Sequence, residues 1–201
     1  MPEAIIKPNV LLVEGEDDKR FFETLCKHIQ KDVQVIRMYG KDNLKGSLEA
    51  IVKGSDFRQV VKAMEIIMDA YNDPSGRFCS IRNTLVRLGL PCPSKPFDIT
   101  GEKPRIGVAV LPDENTPGEL EDLCLESVKE EPAFSCVELY FKCLQEKAIQ
   151  PRKLSKAKVY VYLASKERPG LRLGEAAEAQ YFQFSHSSFK KISDFINSLA
   201  E

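Results

Sequence analysis

Three short apolar runs in this chain each close on a carboxylate, and that repetition constrains the fold more than anything else in the sequence. Val10-Leu11-Leu12-Val13 ends in Glu14-Gly15-Glu16-Asp17-Asp18. Glu65-Ile66-Ile67-Met68 ends in Asp69, and Ile106-Gly107-Val108-Ala109-Val110-Leu111 is followed by Pro112-Asp113. A continuous aliphatic run suits a parallel strand buried on both faces, whereas a half-exposed strand would alternate. Gly15 permits a tight turn, and Glu16 to Asp18 then lie near the positive N-terminus of a following helix. Ligands of open α/β sheets bind outside the carboxyl ends of the strands. If these strands are parallel neighbours, their carboxylates converge at one edge, as hard cations such as Mg²⁺ require.

Segments with helical spacing separate the runs. Phe21, Phe22, Leu25 and Ile29 form an apolar stripe, and Val33 to Tyr39 alternates as a second strand closed by Gly40. Asn43 to Lys53 and Phe57 to Met64 read as two helices broken at Gly54-Ser55-Asp56. Asp73-Pro74 is an N-cap followed by proline at the first helical position, opening a helix through Phe78, Ile81, Leu85 and Leu88 with Gly89 at its C-terminal end. Pro91 to Pro104 holds four prolines and reads as a surface loop. Thr116-Pro117-Gly118-Glu119 has the form of a capping box before Leu120, Leu123, Cys124 and Val128. Phe134, Val137, Phe141, Leu144 and Ala148 give another amphipathic helix. Leu154 to Ser165 reads as helix, although Val159, Val161 and Leu163 also alternate like a strand, and Phe189 to Leu199 is helical. The expectation is an α/β domain with a mostly parallel sheet, helices on both faces and a helical C-terminal extension. One domain is expected over 1–201, with a core in 1–130 and a helical elaboration in 131–201.

Composition narrows the function. A net charge of −1 speaks against indiscriminate coating of nucleic acid. No apolar segment reaches the roughly 20 residues of a bilayer span, and the N-terminus lacks a signal-peptide core, so a cytoplasmic protein without membrane contact is expected. Six cysteines occur without a C-x-x-C pair and read mostly as small buried thiols. His28 and His186 have no partner motif, and no P-loop, G-x-G-x-x-G or G-x-S-x-G is present. Basic residues concentrate between Arg152 and Arg172, at Arg152, Lys153, Lys156, Lys158, Lys166, Arg168 and Arg172. That run is a solvated face or a phosphate-binding surface beside an acidic metal site.

The stretch Leu11 to Phe22 resembles the opening signature of the Toprim domain, shared by topoisomerases, bacterial primases and OLD-family nucleases. Asp18, four residues after Glu14, and the aromatic pair Phe21-Phe22 are most similar to the OLD-like branch. Ile66 to Ala70 resembles the second signature, a strand ending in Asp-x-Asp. Leu111 to Leu123 and Leu173-Gly174-Glu175-Ala176-Ala177 look like a smaller group of single-domain Toprim-like proteins of unassigned function. The resemblance implies a Toprim/Rossmann-like fold and Mg²⁺- or Mn²⁺-dependent phosphodiester chemistry on nucleic acid. It implies Glu14 as the general acid or base, with Asp18 and Asp69 completing one metal site. Glu119 and Glu121, with Asp73 within reach, would form a second site, and Lys156 matches the supporting lysine. OLD-type Toprim domains work with an ATPase half, which leaves room here for an ATPase or another protein supplied in trans.

Tyr71 stands where the second Asp of Asp-x-Asp belongs. A phenol, with a pKa of about 10, is a poor Mg²⁺ ligand at neutral pH. A different class of function follows from that departure: a Toprim-like module that binds nucleic acid or protein with attenuated catalysis. A phosphoacceptor receiver domain shares the acids at the strand ends but lacks support from a Lys-Pro after a last strand. Each candidate also has a structural account. Asp18 can offset a helix dipole, Asp73 and Glu119 can cap helices, and Lys156 can be a surface lysine.

Overall fold

The computed structural model describes residues 3–38 and 44–199. Five strands form one sheet in the order β2-β1-β3-β5-β4. They are β1 (Asn9–Val13), β2 (Gln34–Arg37), β3 (Ala63–Asp69), β4 (Ile99–Thr100) and β5 (Arg105–Leu111). All neighbours are parallel except β4, which runs antiparallel to β5. The α/β architecture and mostly parallel sheet expected from the apolar runs are therefore present.

The sheet is covered on both faces. Leu11 and Val13 of β1 and Ile67 of β3 point into a core built with α1 (Glu16–His28) and the helices after β5. Those helices are α5 (Leu120–Ser127), α6 (Pro132–Glu146), α7 (Leu154–Ala164), α8 (Leu173–Glu178) and α9 (Lys190–Leu199). Val10 and Leu12, with Met64, Ile66 and Met68, face the opposite core. That core is closed by α2 (Leu44–Lys53), α3 (Ser55–Val60) and α4 (Pro74–Arg87). The period-2 geometry of a strand sends successive side chains to opposite faces, so an unbroken apolar run feeds both cores at once.

Several boundaries differ from expectation for identifiable reasons. The helix expected to run to Met64 ends at Val60, because Ala63 and Met64 pair with Asn9 and Val10 of β1 and with Arg105 and Ile106 of β5. The strand expected at Val33 to Tyr39 covers Gln34–Arg37, and its expected closure at Tyr39 and Gly40, like Asn43, lies outside the described residues. The proline-rich loop contains the two-residue strand β4. Leu154 to Ala164 is helix, and its alternating Val159 and Leu163 are buried there at helical spacing. The residue before α5 is Glu119, whose N–H donates to Asp122 Oδ2 at 2.8 Å, so the box starts three residues later than Thr116.

The cysteines also depart from expectation. Cys26 and Cys124 are buried, but Cys79, Cys136 and Cys143 are exposed. Among the described residues no helix is long and apolar enough to cross a membrane.

Candidate metal centre

The order of the strands decides where the acids meet. From β1 the chain crosses through α1 to β2 on one side, then returns through α2 and α3 to β3 on the other. Strand order therefore reverses between β1 and β3, which is the crevice where doubly wound sheets bind ligands. Glu14 follows β1 directly and Asp69 is the last residue of β3, so both carboxylates stand at that crevice. A cavity of about 250 Å³ opens there, lined by Glu14, Asp18, Asp69, Tyr71, Glu119 and Glu121 together with Lys153 and Lys156.

One oxygen each of Asp69, Glu119 and Glu121 lies within 4.8 Å of the other two. Octahedral Mg²⁺, with bonds of roughly 2.1 Å, separates its ligand oxygens by about 3–4 Å, so small side-chain movements would close this set on a cation. Asp69 Oδ1 accepts the Leu120 amide of α5 at 2.9 Å. Burial, then the charges of Asp18, Glu121 and Glu14, raise its carboxyl well above the ordinary range. Glu121 is buried on the first turn of α5, and burial raises its carboxyl too. Acids that raise one another's pKa gain most from a cation held among them.

Glu14 and Asp18 are more constrained by the protein itself. Glu14 Oε1 accepts the Tyr71 hydroxyl at 2.7 Å, while its Oε2 is buried and has no hydrogen-bond partner among the described residues. Asp18 Oδ2 accepts the Gly15 amide at 2.7 Å and so closes the first turn of α1. Burial pushes the Asp18 carboxyl up to about 6, with Glu14 and Asp17 adding to the rise and the Gly15 amide opposing it. That turn is held from behind by α8, where a Cβ on Gly174 would lie 2.6 Å from Arg20 Cβ and 2.7 Å from the Asp17 carbonyl. Only glycine allows α8 so close, and Arg20 seals the contact with a 2.8 Å pair to Glu175.

Tyr71 occupies the left-handed region, with φ at +53°. Reciprocal backbone hydrogen bonds with Gly118, both 2.8 Å, hold it there. Such a conformation costs about 1–3 kcal/mol and persists only when its surroundings impose it. The Tyr71 ring lies 5.0 Å from the Lys153 ammonium and 5.2 Å from the Arg77 guanidinium. Burial, then the hydrogen bond to Glu14, raises the phenol far above its ordinary value, so it stays a proton donor.

Not every expected residue reaches the cavity. Asp73 is exposed and caps α4, accepting the Gly76 amide at 2.8 Å. The Asp113 carboxylate turns into its own loop, on the amides of Asn115 and Thr116 at 2.7 and 2.8 Å. The basic run divides as well. Lys158 pairs with Glu138 and Lys166 with Glu131, away from the acids. Arg152, Lys153 and Lys156 alone of that run line the crevice or the adjoining cavity of about 370 Å³.

Two roles escaped the sequence reading. Lys153, three residues before Lys156, pairs with Glu119 at 3.2 Å. Its place in a basic run at a helix start marked it only as one cation among several. Tyr71 stands out in the sequence as a missing ligand, and its hydrogen bond to Glu14 depends on a left-handed backbone that no local pattern announces.

A family model described as Protein of unknown function (DUF3226) matches residues 8–201. The chain belongs to that family. No curated protein and no solved structure matches it.

Proposed function

We propose that this member of the family is a Toprim-like, divalent-metal-dependent phosphodiesterase, nuclease-like and acting on nucleic acid in the cytoplasm. The observation that carries the reading is the convergence of Glu14, Asp69, Glu119 and Glu121 on one crevice at the strand-order reversal, with Lys153 and Lys156 on its rim. Asp69, Glu119 and Glu121 would hold Mg²⁺ or Mn²⁺, since hard oxygen donors are what these ions take. A cation bound there supplies Lewis-acid polarisation of a phosphoryl oxygen and lowers the pKa of water. Glu14 is the residue that would exchange a proton with the reacting oxygens, held in place by the Tyr71 hydroxyl. Lys153 and Lys156 would offset charge on the phosphoryl group. The carboxylates group around Asp69, so one metal position is better supported than the pair that the resemblance implies, with Asp18 serving the first turn of α1.

Calorimetric titration of chelator-treated protein with Mn²⁺, beside Glu14→Ala and Asp69→Ala, tests the reading, followed by cleavage assays on DNA and RNA. Binding lost in Asp69→Ala, with metal-dependent cleavage lost in both variants, is the expected result. Cleavage that survives Glu14→Ala would sink it.

Tyr71 favours a second reading, a binding module for nucleic acid or protein with attenuated catalysis, with room for an ATPase or another protein as partner in trans. If Tyr71→Asp creates a cleavage activity that the natural chain lacks, this second reading holds.

A further inference from the structure

The crevice has two walls of opposite chemistry. Glu16, Asp17 and Asp18 on the first turn of α1 form one. Lys153, which caps α7, forms the other with Lys156 and Tyr160 inside that helix, while Val159 and Leu163 are buried. Steps of three and four residues keep Lys153, Lys156 and Tyr160 on one helix face. Tyr160 is half-exposed, and among the described residues its ring and hydroxyl take part in no hydrogen bond, ring pair or cation contact. Tyr71, Tyr162 and Tyr181, by contrast, each have a hydrogen-bond partner. An open aromatic face beside two lysines, in a cavity, is a surface on which an unpaired base stacks.

We propose that Tyr160 is a base-stacking residue and that the strand bound in the crevice is single. The proposal rests on the nuclease-like reading of the site and narrows its substrate to unpaired DNA or RNA. Lys153 also lines the adjoining cavity with Arg152 and Tyr71, whereas Tyr160 belongs to the crevice. The rise of α7 from Lys153 to Tyr160 is about 10 Å, which spans about three nucleotides at the stacked spacing of about 3.4 Å. Phosphates then follow Lys153 and Lys156 past the Asp69 cluster, with a base laid on Tyr160. A duplex meets two obstacles. Its bases already stack on one another and offer the ring no free face. Its second backbone also runs against the α1 wall, where Glu16 is paired with Arg37 at 3.0 Å but Asp17 and Asp18 add further negative charge. A net charge of −1 supplies no general excess of cations to overcome that repulsion.

Anisotropy of a labelled oligothymidylate of about 12 nucleotides, free and annealed to its complement, tests the proposal in Ca²⁺, with oligouridylate alongside to separate RNA from DNA. The single strand should bind at least about tenfold tighter than the duplex. Tyr160→Ala should weaken single-strand binding about tenfold and leave Mn²⁺ affinity unchanged, whereas Tyr160→Phe should keep the oligonucleotide affinity. The chain has no tryptophan, so Tyr160→Trp places a single indole in the crevice. Its emission should be quenched by the single strand and not by the duplex. Oligonucleotide binding that leaves this indole unquenched, and that Tyr160→Ala does not weaken, overturns the stacking role while the nuclease-like reading stands. Equal affinity for single strand and duplex overturns the strand preference. Failure of both forms to bind removes the reading itself, and this proposal with it.

Discussion

Strand β3 carries two acids, Glu65 buried within it and Asp69 partly exposed at its end, and the groups around them differ in ways that matter for function. Glu65 is fully buried, and among the described residues neither of its carboxylate oxygens has a hydrogen-bond partner. Burial raises its pKa well above the ordinary range, opposed only by Arg105. Asp69 also has a raised pKa, but it accepts an amide and borders a cavity that it shares with Glu14, Asp18, Glu119, Glu121 and two lysines. A perturbed pKa is thus shared by a group inside a cluster of acids at a cavity and a group outside any such cluster among the described residues. The shift marks burial in both cases, and the convergence of groups marks the site in one.

Asp69→Asn should weaken Mn²⁺ binding at least about 100-fold, a loss comparable to or larger than that of disturbing a ligand's support. Glu65→Met should leave that affinity unchanged. Calorimetry on both variants checks this, and equal losses would erase the distinction between the two ends of β3.

Glu65 should instead govern how stability responds to pH. Its folded-state pKa is raised, so the folded protein keeps this proton where the unfolded chain has released it. The group's contribution is therefore full in acid and declines as pH rises past the ordinary carboxylate range. Glu65→Met should remove that decline and stabilise the fold at pH 8 by roughly 1–3 kcal/mol, the cost of burying an unsatisfied polar group. Urea denaturation at several pH values reads both effects, and a variant less stable than the parent at pH 8 would contradict them.

Tyr71→Phe should cost about 1 kcal/mol, the net value of its hydrogen bond to Glu14, and should leave the Asp69 cluster able to bind metal. Tyr71→Asp adds a carboxylate at a left-handed position that aspartate tolerates, and should tighten Mn²⁺ binding about tenfold. No gain from Tyr71→Asp would mean that position 71 cannot reach the cation. The smallest effect belongs to Asp73→Ala, about 1 kcal/mol or less from loss of the α4 cap, with metal affinity untouched.

Much of this was legible from spacing alone. Continuous aliphatic runs can be satisfied only by strands buried on both faces, so β1, β3 and β5, and the carboxylates Glu14 and Asp69 at two of their ends, follow from the local sequence. The caps at Asp73 and around α5 are likewise local, since a side chain there bonds an amide a few residues away. Other features hang on contacts distant in sequence. Val60 ends α3 because the residues after it pair with β1 and β5, an interaction invisible to periodicity. Asp113 resembles Asp69 as a strand-end acid, yet its own loop amides take its carboxylate.

The sequence by itself determined a parallel α/β chain with acids at its strand ends, because burial period and turn chemistry act over a few residues. The tertiary structure alone decided which acids meet. It brought Glu119 and Glu121 to Asp69, set Lys153 on Glu119 and turned the Tyr71 hydroxyl to Glu14. Those choices depend on strand order and helix packing, where groups some 34 to 57 residues apart come within bonding distance.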